Sequence, residues 1–227
     1  MKPPNEKTWK PDEWGDHFEG DILLLPQQRN GRISKNSRWE KGVVPYVFDK
    51  NFSSKKRKVV LKAMRTYKTL TNGCIKFVAR SKQKDYIRII NDNSCYSYVG
   101  RIGGPQTVAY PQWCINSFGS VLHELYHALG FFHEQSRPDR DKYVTINQNN
   151  IQSGKEHNFE KYNTDFVTTF GVKYDYNSVM HYHSTAFSKN GKRTIVTKDP
   201  KYRDKIGQRE KLSSNDLQKL KKMYKCS

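Results

Sequence analysis

Residues 123–134 read HELYHALGFFHE, three histidines and two glutamates on an otherwise apolar stretch. A helix that buries such a stretch must also find partners for its polar groups, because an unpaired buried polar side chain is costly. On a helix, positions i and i+4 share a face, about 5–6 Å apart. His123 and His127 can therefore aim two imidazoles at one ion, and Glu124 flanks that face within reach of a water. Neutral imidazoles bind zinc while leaving much of its charge unquenched, and a nearby carboxylate can take the proton of the water. Gly130 can adopt positive φ and end the helix. The chain then turns, and His133 can approach from another side. Three histidines leave coordination positions for water and substrate, the open arrangement of a catalytic site holding one Zn2+ per chain.

The second glutamate, Glu134, has no role in that scheme, so the rest of the chain has to supply one. The 227 residues suffice for one large domain or two small ones. No apolar run approaches the ~18–20 residues that cross a bilayer. Met1 is followed by KPPNEKTWKPDEWGD, which lacks the apolar centre of a signal peptide. Either the chain is intracellular or the sequence begins after a removed signal. Cys74, Cys95, Cys114 and Cys226 form no CxxC pair, which argues against a cysteine zinc site and fits two disulfides, with three pairings open. That favours an extracellular protein.

The formal charge is +19, from 41 basic and 22 acidic residues. Residues 1–29 hold four basic and six acidic side chains, a net of −2, which leaves +21 for the remainder. An acidic leader on a basic body can be held partly by charge. The positive excess is read first as solvated lysine faces and second as attraction to acidic proteins or polyanions. Nucleic acid is not expected as a partner, because no aromatic-plus-basic module is present.

Residues 1–29 show no helix or strand periodicity, carry Pro3, Pro4, Pro11 and Pro26, and read as an extended segment. QQRNGR (27–32) reads as an exposed loop that a protease could reach. VVPYVF (43–48), CIKFVA (74–79) and YIRIIN (86–91) read as strands, and YVGRIGGPQTVAYP (98–111) as strand, glycine-rich turn, strand. Residues 53–70 read as a helix capped by Ser53 or Ser54, with Val60, Met64 and Tyr67 on one face. The helix carrying the histidines begins near Asn116–Ser120. A short helix is expected over 147–159 after an Asn147 cap. A terminal helix is expected over 213–225, with Leu217, Leu220 and Tyr224 on one face. Sheet material first, then the histidine helix, then a loop-rich second half closed by a helix make an α+β arrangement in two lobes.

The full spacing HExxHxxGxxH is the metzincin pattern. HELYHALGFFHEQSRPDRD (123–141) with SVMHY (178–182) resembles the astacin family of zinc endopeptidases, with Phe131 and Glu134 in place, and YSYVGRIGG (96–104) is similar to its edge-strand region. The resemblance runs from residue 18 to residue 226. It implies the metzincin two-lobe catalytic domain, a twisted N-terminal sheet plus active-site helix and a loop-rich C-terminal lobe. His123, His127 and His133 would be zinc ligands and Glu124 the general base. Met180 would lie beneath the ligands in a turn that supports them. Tyr182 would ligate zinc at rest and swing out to stabilise the oxyanion, two tasks that suit a phenol.

HFEGDI (17–22) resembles the family's FxGD aspartate switch, which implies that residues 1–29 are an inhibitory propeptide with Asp21 on the zinc. The catalytic domain would span 30–227. Cleavage after Arg29 by a trypsin-like protease would create Asn30 as a new N-terminus, and Glu134 would receive its ammonium. The implied disulfides are Cys74–Cys226 and Cys95–Cys114. An extended protein or peptide substrate would pair with the edge strand at Tyr98, Val99, Gly100 and Arg101. The positive charge favours acidic residues beside the cleaved bond. A monomeric secreted enzyme is expected. No appended module is seen before Ser227, so its selectivity is expected to come from the cleft. His17, His157, His181 and His183 carry no spacing argument and read as ordinary surface or hydrogen-bonded histidines. The competing reading is a basic protein that adheres to polyanions through segments such as KKRK (55–58).

Overall fold

Val60, Ala63, Met64 and Tyr67 recur at helical spacing and are buried together on one face of α1 (Ser54–Leu70), whose N-terminus is capped by the Ser53 hydroxyl accepting from Lys56 N. The computed structural model describes residues 15–24, 37–165 and 167–226. In it α1 connects β2 (Val43–Phe48) to β3 (Lys76–Ala79), which pair in parallel. β4 (Tyr86–Ile90) and β6 (Pro105–Ala109) continue the parallel set, with Tyr46 opposite Ile87 and Ile87 opposite Gln106. β5 (Tyr96–Tyr98) is antiparallel to β6, and the leader adds β1 (Ile22–Leu23), parallel to β5. The six-stranded order is β1-β5-β6-β4-β2-β3.

α2 (Gln112–Asn116) leads into α3 (Phe118–Ala128), the histidine helix, which packs against α1, β5 and β6. The main core lies between these helices and the sheet and includes Val44, Ile87, Ile89, Val108, Leu122, Leu125 and Met180. A second core gathers Val144, Ile151, Phe159, Tyr174, Tyr182, Phe187 and Ile195 around a small antiparallel sheet of β7 (Val144–Ile146) and β8 (Ile195–Thr197). Residues 179–182 pass from one core to the other. α4 (Ser214–Tyr224) closes the chain. It starts in a capping box between Ser213 and Asp216 and buries Asp216, Lys219, Leu220 and Met223.

Both disulfides pair as the resemblance implies, Cys74 with Cys226 and Cys95 with Cys114. Three sequence expectations change. Residues 147–159 are two 3-10 turns, Gln148–Asn150 and Glu156–Phe159, separated by Gly154 at φ +82°. Asn147 does not cap a helix there; its amide donates instead to Arg193 O. The leader is not simply extended: Gly20 N donates to His17 O and Ile22 N to Phe18 O, so it makes a tight turn before β1. The strand expected over 98–101 includes only Tyr98. The loop at 27–32, Arg29 and Asn30 lie outside the described residues.

Candidate metal centre

The end of α3 is fixed by side chains from far along the chain. Its last carbonyls would be orphaned in the core. Instead Ala128 O accepts from Trp39 Nε1, Leu129 O from the Tyr224 hydroxyl, and His127 O from the backbone N–H groups of Gly130 and Gly100. Gly130 sits at φ +112°, and a Cβ there would lie 2.8 Å from Met223 Cε. The positive φ is what calls for glycine, since the end of the Met223 side chain could shift aside, and the turn brings His133 back towards the helix.

Each imidazole is oriented through Nδ1. His123 Nδ1 donates to Val179 O at 2.8 Å, His127 Nδ1 to Phe131 O at 2.7 Å, and His133 Nδ1 to the Glu19 carboxylate at 2.7 Å. In the neutral rings the protons sit there, which leaves three Nε2 lone pairs converging. Asp21 Oδ2 lies 2.9 Å from His123 Nε2, and Asp21 Oδ1 lies 3.4 Å from Nε2 of both His127 and His133. The four ligand atoms are all within 4.8 Å of one another and every residue is buried. His127 Nε2 and Asp21 Oδ1 have no hydrogen-bond partner. Lone pairs facing lone pairs in a buried cluster fit a cation between them, and three nitrogens with one carboxylate oxygen are a tetrahedral zinc set.

The electrostatics agree. Burial pushes His127 down to about 4, despite the pull of Asp21. Burial also opposes charge on His133, but the carboxylates of Asp21 and Glu19 outweigh it and hold that ring up at about 10. Burial would raise Asp21, and the facing imidazoles overcome this and draw it well below the usual carboxylate range. The junction attracts one positive charge, and a proton competes with a metal for it.

A model of the astacin family of peptidases matches residues 31–225. The chain belongs to the astacin family. It is 42% identical over 224 residues to zinc metalloproteinase nas-4 of Caenorhabditis elegans, a match covering 93% of this chain and 70% of that protein. It is 43% identical over 213 residues to the meprin A subunit beta of Rattus norvegicus, where 93% of this chain spans 30% of the relative. Among solved structures, the hatching-enzyme zinc protease HCE-1 of Oryzias latipes superimposes with a TM-score of 0.76 at 34% identity, covering 90% of this chain and 99% of that one. The metal expected of an astacin is zinc, and the donor set described above suits it.

The astacin domain places the other predicted residues as follows. Glu124 is fully buried on α3 beside His123. Met180 is buried in the main core, and its carbonyl accepts from Glu134 N. The Tyr182 hydroxyl donates to the leader carbonyl of Glu19 at 2.7 Å, with its ring 4.7 Å from that of His133. The Glu134 carboxylate faces Lys219 Nζ at 2.6 Å, Arg137 at 3.0 Å and the Asp175 N–H at 2.9 Å. It thus has two side-chain cations, where the sequence suggested a single terminal ammonium. Burial raises its pKa, but Lys219 and Arg137 more than reverse this. Beyond Tyr98, Val99 and Gly100 are buried and Arg101 is half-buried. Gly100 O accepts from the Gln106 amide, and the Arg101 side chain meets Asp85 and Arg38 O. His181 is buried between the Tyr174 hydroxyl and Tyr182 O, one of the hydrogen-bonded histidines expected.

Several functional residues were missed in the sequence. Glu19 arrives at φ +47° in the leader turn, 1% exposed, and its carboxylate accepts from His133, Ser136 and Tyr162. Asp216 accepts from Ser178 Oγ and Val179 N, which fixes the turn beneath the histidines. A legible signal existed for Asp216 and Lys219. Both fall on the same helical stripe as Leu220 and Met223, where charged residues are out of place unless they are paired.

Proposed function

We propose that the chain is the latent form of a secreted zinc endopeptidase, in which residues 1–29 block a catalytic domain of residues 30–227. The observation that carries this reading is Asp21, whose carboxylate fills the space where three histidine Nε2 atoms meet. β1 of the leader also covers the open edge of β5, with Ile22 opposite Ser97. An extended substrate would need that same edge. The two disulfides favour the extracellular space. Among the described residues, no helix is long and apolar enough to cross a membrane.

Zinc, when bound, would polarise the attacking water and the scissile carbonyl. His123, His127 and His133 would hold it through Nε2. Glu124 accepts the proton of the water and delivers it to the leaving nitrogen. Tyr182, released from Glu19 O once the leader departs, donates to the developing oxyanion. Cleavage after Arg29 by a trypsin-like protease would free the leader. The new terminus at Asn30 would then find Glu134 beside a cavity lined by Ser37, Gly130, Phe132, Arg137, Thr168 and Lys219. Substrates are proteins or peptides, with acidic residues favoured near the cleaved bond by the basic body.

The test is casein cleavage before and after trypsin treatment, with N-terminal sequencing of the product. Activity should appear only after the cut, disappear with a chelator and return with zinc. Full activity in the Glu124→Gln variant, or in the chelated enzyme, would overturn the mechanism.

A further inference from the structure

From Lys50 to Lys84 the chain carries twelve lysines and arginines and no aspartate or glutamate. α1 arranges part of this charge in a line. Lys55, Lys58, Lys62 and Arg65 follow one another at intervals of three and four residues, all exposed, opposite the buried face of Val60, Ala63, Met64 and Tyr67. The stripe runs about 15 Å along the helix, with a cation roughly every 5 Å. Lys68 extends it, and Lys76, Arg80, Lys82 and Lys84 are exposed on β3 and in the turn after it. Among the described residues, none of the four stripe cations has a carboxylate within ion-pair distance; Lys62 leans over the Phe118 ring at 4.9 Å. By contrast Glu134, Asp139 and Asp141 elsewhere pair off the cations near them. A one-signed, unneutralised row is a large positive field held on a rigid element.

We infer that the outer face of α1 is a docking surface for a linear sulfated polysaccharide. The row matches a polymer with regularly spaced anions in direction, spacing and sign. Single-stranded nucleic acid would need exposed rings on which bases could stack. Phe52 and Tyr67 are instead buried, and Phe77 is half-buried against Tyr67. A membrane surface would need apolar anchors beside the cations. The one large exposed apolar residue of α1 is Leu70, at its far end. The surface is separate from the cleft. The inner face of α1 packs on α3, with the Tyr67 hydroxyl on Leu122 O, and β3 is the sheet edge opposite β1. Docking would concentrate the protein on a sulfated matrix without occupying the zinc site.

The experiment compares the full chain with two quadruple variants of equal charge, Lys55→Gln/Lys58→Gln/Lys62→Gln/Arg65→Gln and Lys189→Gln/Lys192→Gln/Lys201→Gln/Lys205→Gln. Heparin is the probe, and affinity is measured at several salt concentrations. The stripe variant should bind about tenfold or more weakly, with a shallower salt dependence. The control variant should bind nearly as the parent does. Both should unfold at the parent's temperature and cleave a short peptide equally after activation, so a failure of the peptidase reading would show in a different measurement. Equal losses in the two variants would reduce the effect to net charge and overturn the proposal. It would also be overturned if single-stranded DNA bound the stripe as tightly as heparin at matched salt.

Discussion

Glu19 offers the sharpest test of how the leader is held. Its buried carboxylate accepts three hydrogen bonds, from His133 Nδ1 at 2.7 Å and from the hydroxyls of Ser136 and Tyr162 at 2.8 Å each. Hydrogen bonds to a charged group contribute about 1.5–3 kcal/mol each, although such contributions do not add fully within one cluster. Glu19→Ala would remove the acceptor and leave three donors facing an apolar methyl group. Alanine keeps the strained positive φ, so no backbone relief offsets the loss. Weakening of the seated leader by about 3–4 kcal/mol would raise the fraction of uncut molecules with an open cleft by two to three orders of magnitude, at about 1.4 kcal/mol per decade. The assay is cleavage of a fluorogenic peptide by zinc-loaded, uncut protein, scaled to the trypsin-activated enzyme. Glu19→Ala should leak about 100-fold or more above the parent. Glu19→Gln should leak less, because its amide oxygen can still accept from Ser136 or Tyr162, and Asp21→Ala should leak as well. After activation all should share one kcat/KM, because the altered residue has been removed with the leader. If Glu19→Ala is as silent as the parent while Asp21→Ala leaks, Glu19 does not hold the leader.

Other perturbations separate stability from chemistry. Lys219→Met should cost about 3–5 kcal/mol, because it leaves the buried Glu134 with a single cationic side chain; urea unfolding and a double-mutant cycle with Glu134→Gln would show the coupling. In the chain-entropy model, opening Cys74–Cys226, which spans 152 residues, should cost about 5 kcal/mol, against about 3 kcal/mol for Cys95–Cys114, which spans 19. Denaturation of the paired Cys→Ser variants gives that order. Burial holds His181 down at about 4 in the folded chain, against about 6.5 when unfolded. The unfolded chain therefore binds the extra proton, so stability should fall as pH drops from about 6.5 towards 4, by up to roughly 3 kcal/mol. His181→Gln should flatten that part of the pH profile.

Legibility followed the length and regularity of each element. α1 and α4 could be read because their apolar residues recur at helical spacing behind a serine cap. The histidine helix could be read because metal chemistry restricts both residue type and interval. β7 and β8 could not: each is three residues long, and they pair across nearly fifty residues of chain. Residues 147–159 misled because Asn147 suggests a helix cap, whereas Ile151 and Phe159 serve the second core from separate turns. Asp21 was visible through its motif. Glu19 was not, because nothing local distinguishes a carboxylate aimed at His133 from one in solvent. Its role depends on a left-handed turn visible only in three dimensions.

The least legible part of the site is also the part that ties it together. His123 is aimed by Val179 O, and Val179 is placed by its N–H on Asp216. Asp216 is in turn the N3 residue of the α4 capping box. Three residues on, Lys219 meets the carboxylate of Glu134, which directly follows His133. One further turn along, Met223 fills the space over Gly130, and Tyr224 takes the carbonyl of Leu129 at the end of α3. A single face of the last helix thus reaches the support of His123, the neighbour of His133 and the turn between them. Cys226 then ties the end of that helix to Cys74, two residues before β3. A ligand geometry assembled from such distant segments needs a rigid frame, because a zinc site loses affinity when its outer partners move. In this fold α4 provides much of that frame, so substitutions on its buried face should alter zinc affinity although none of its residues belongs to the candidate ligand cluster.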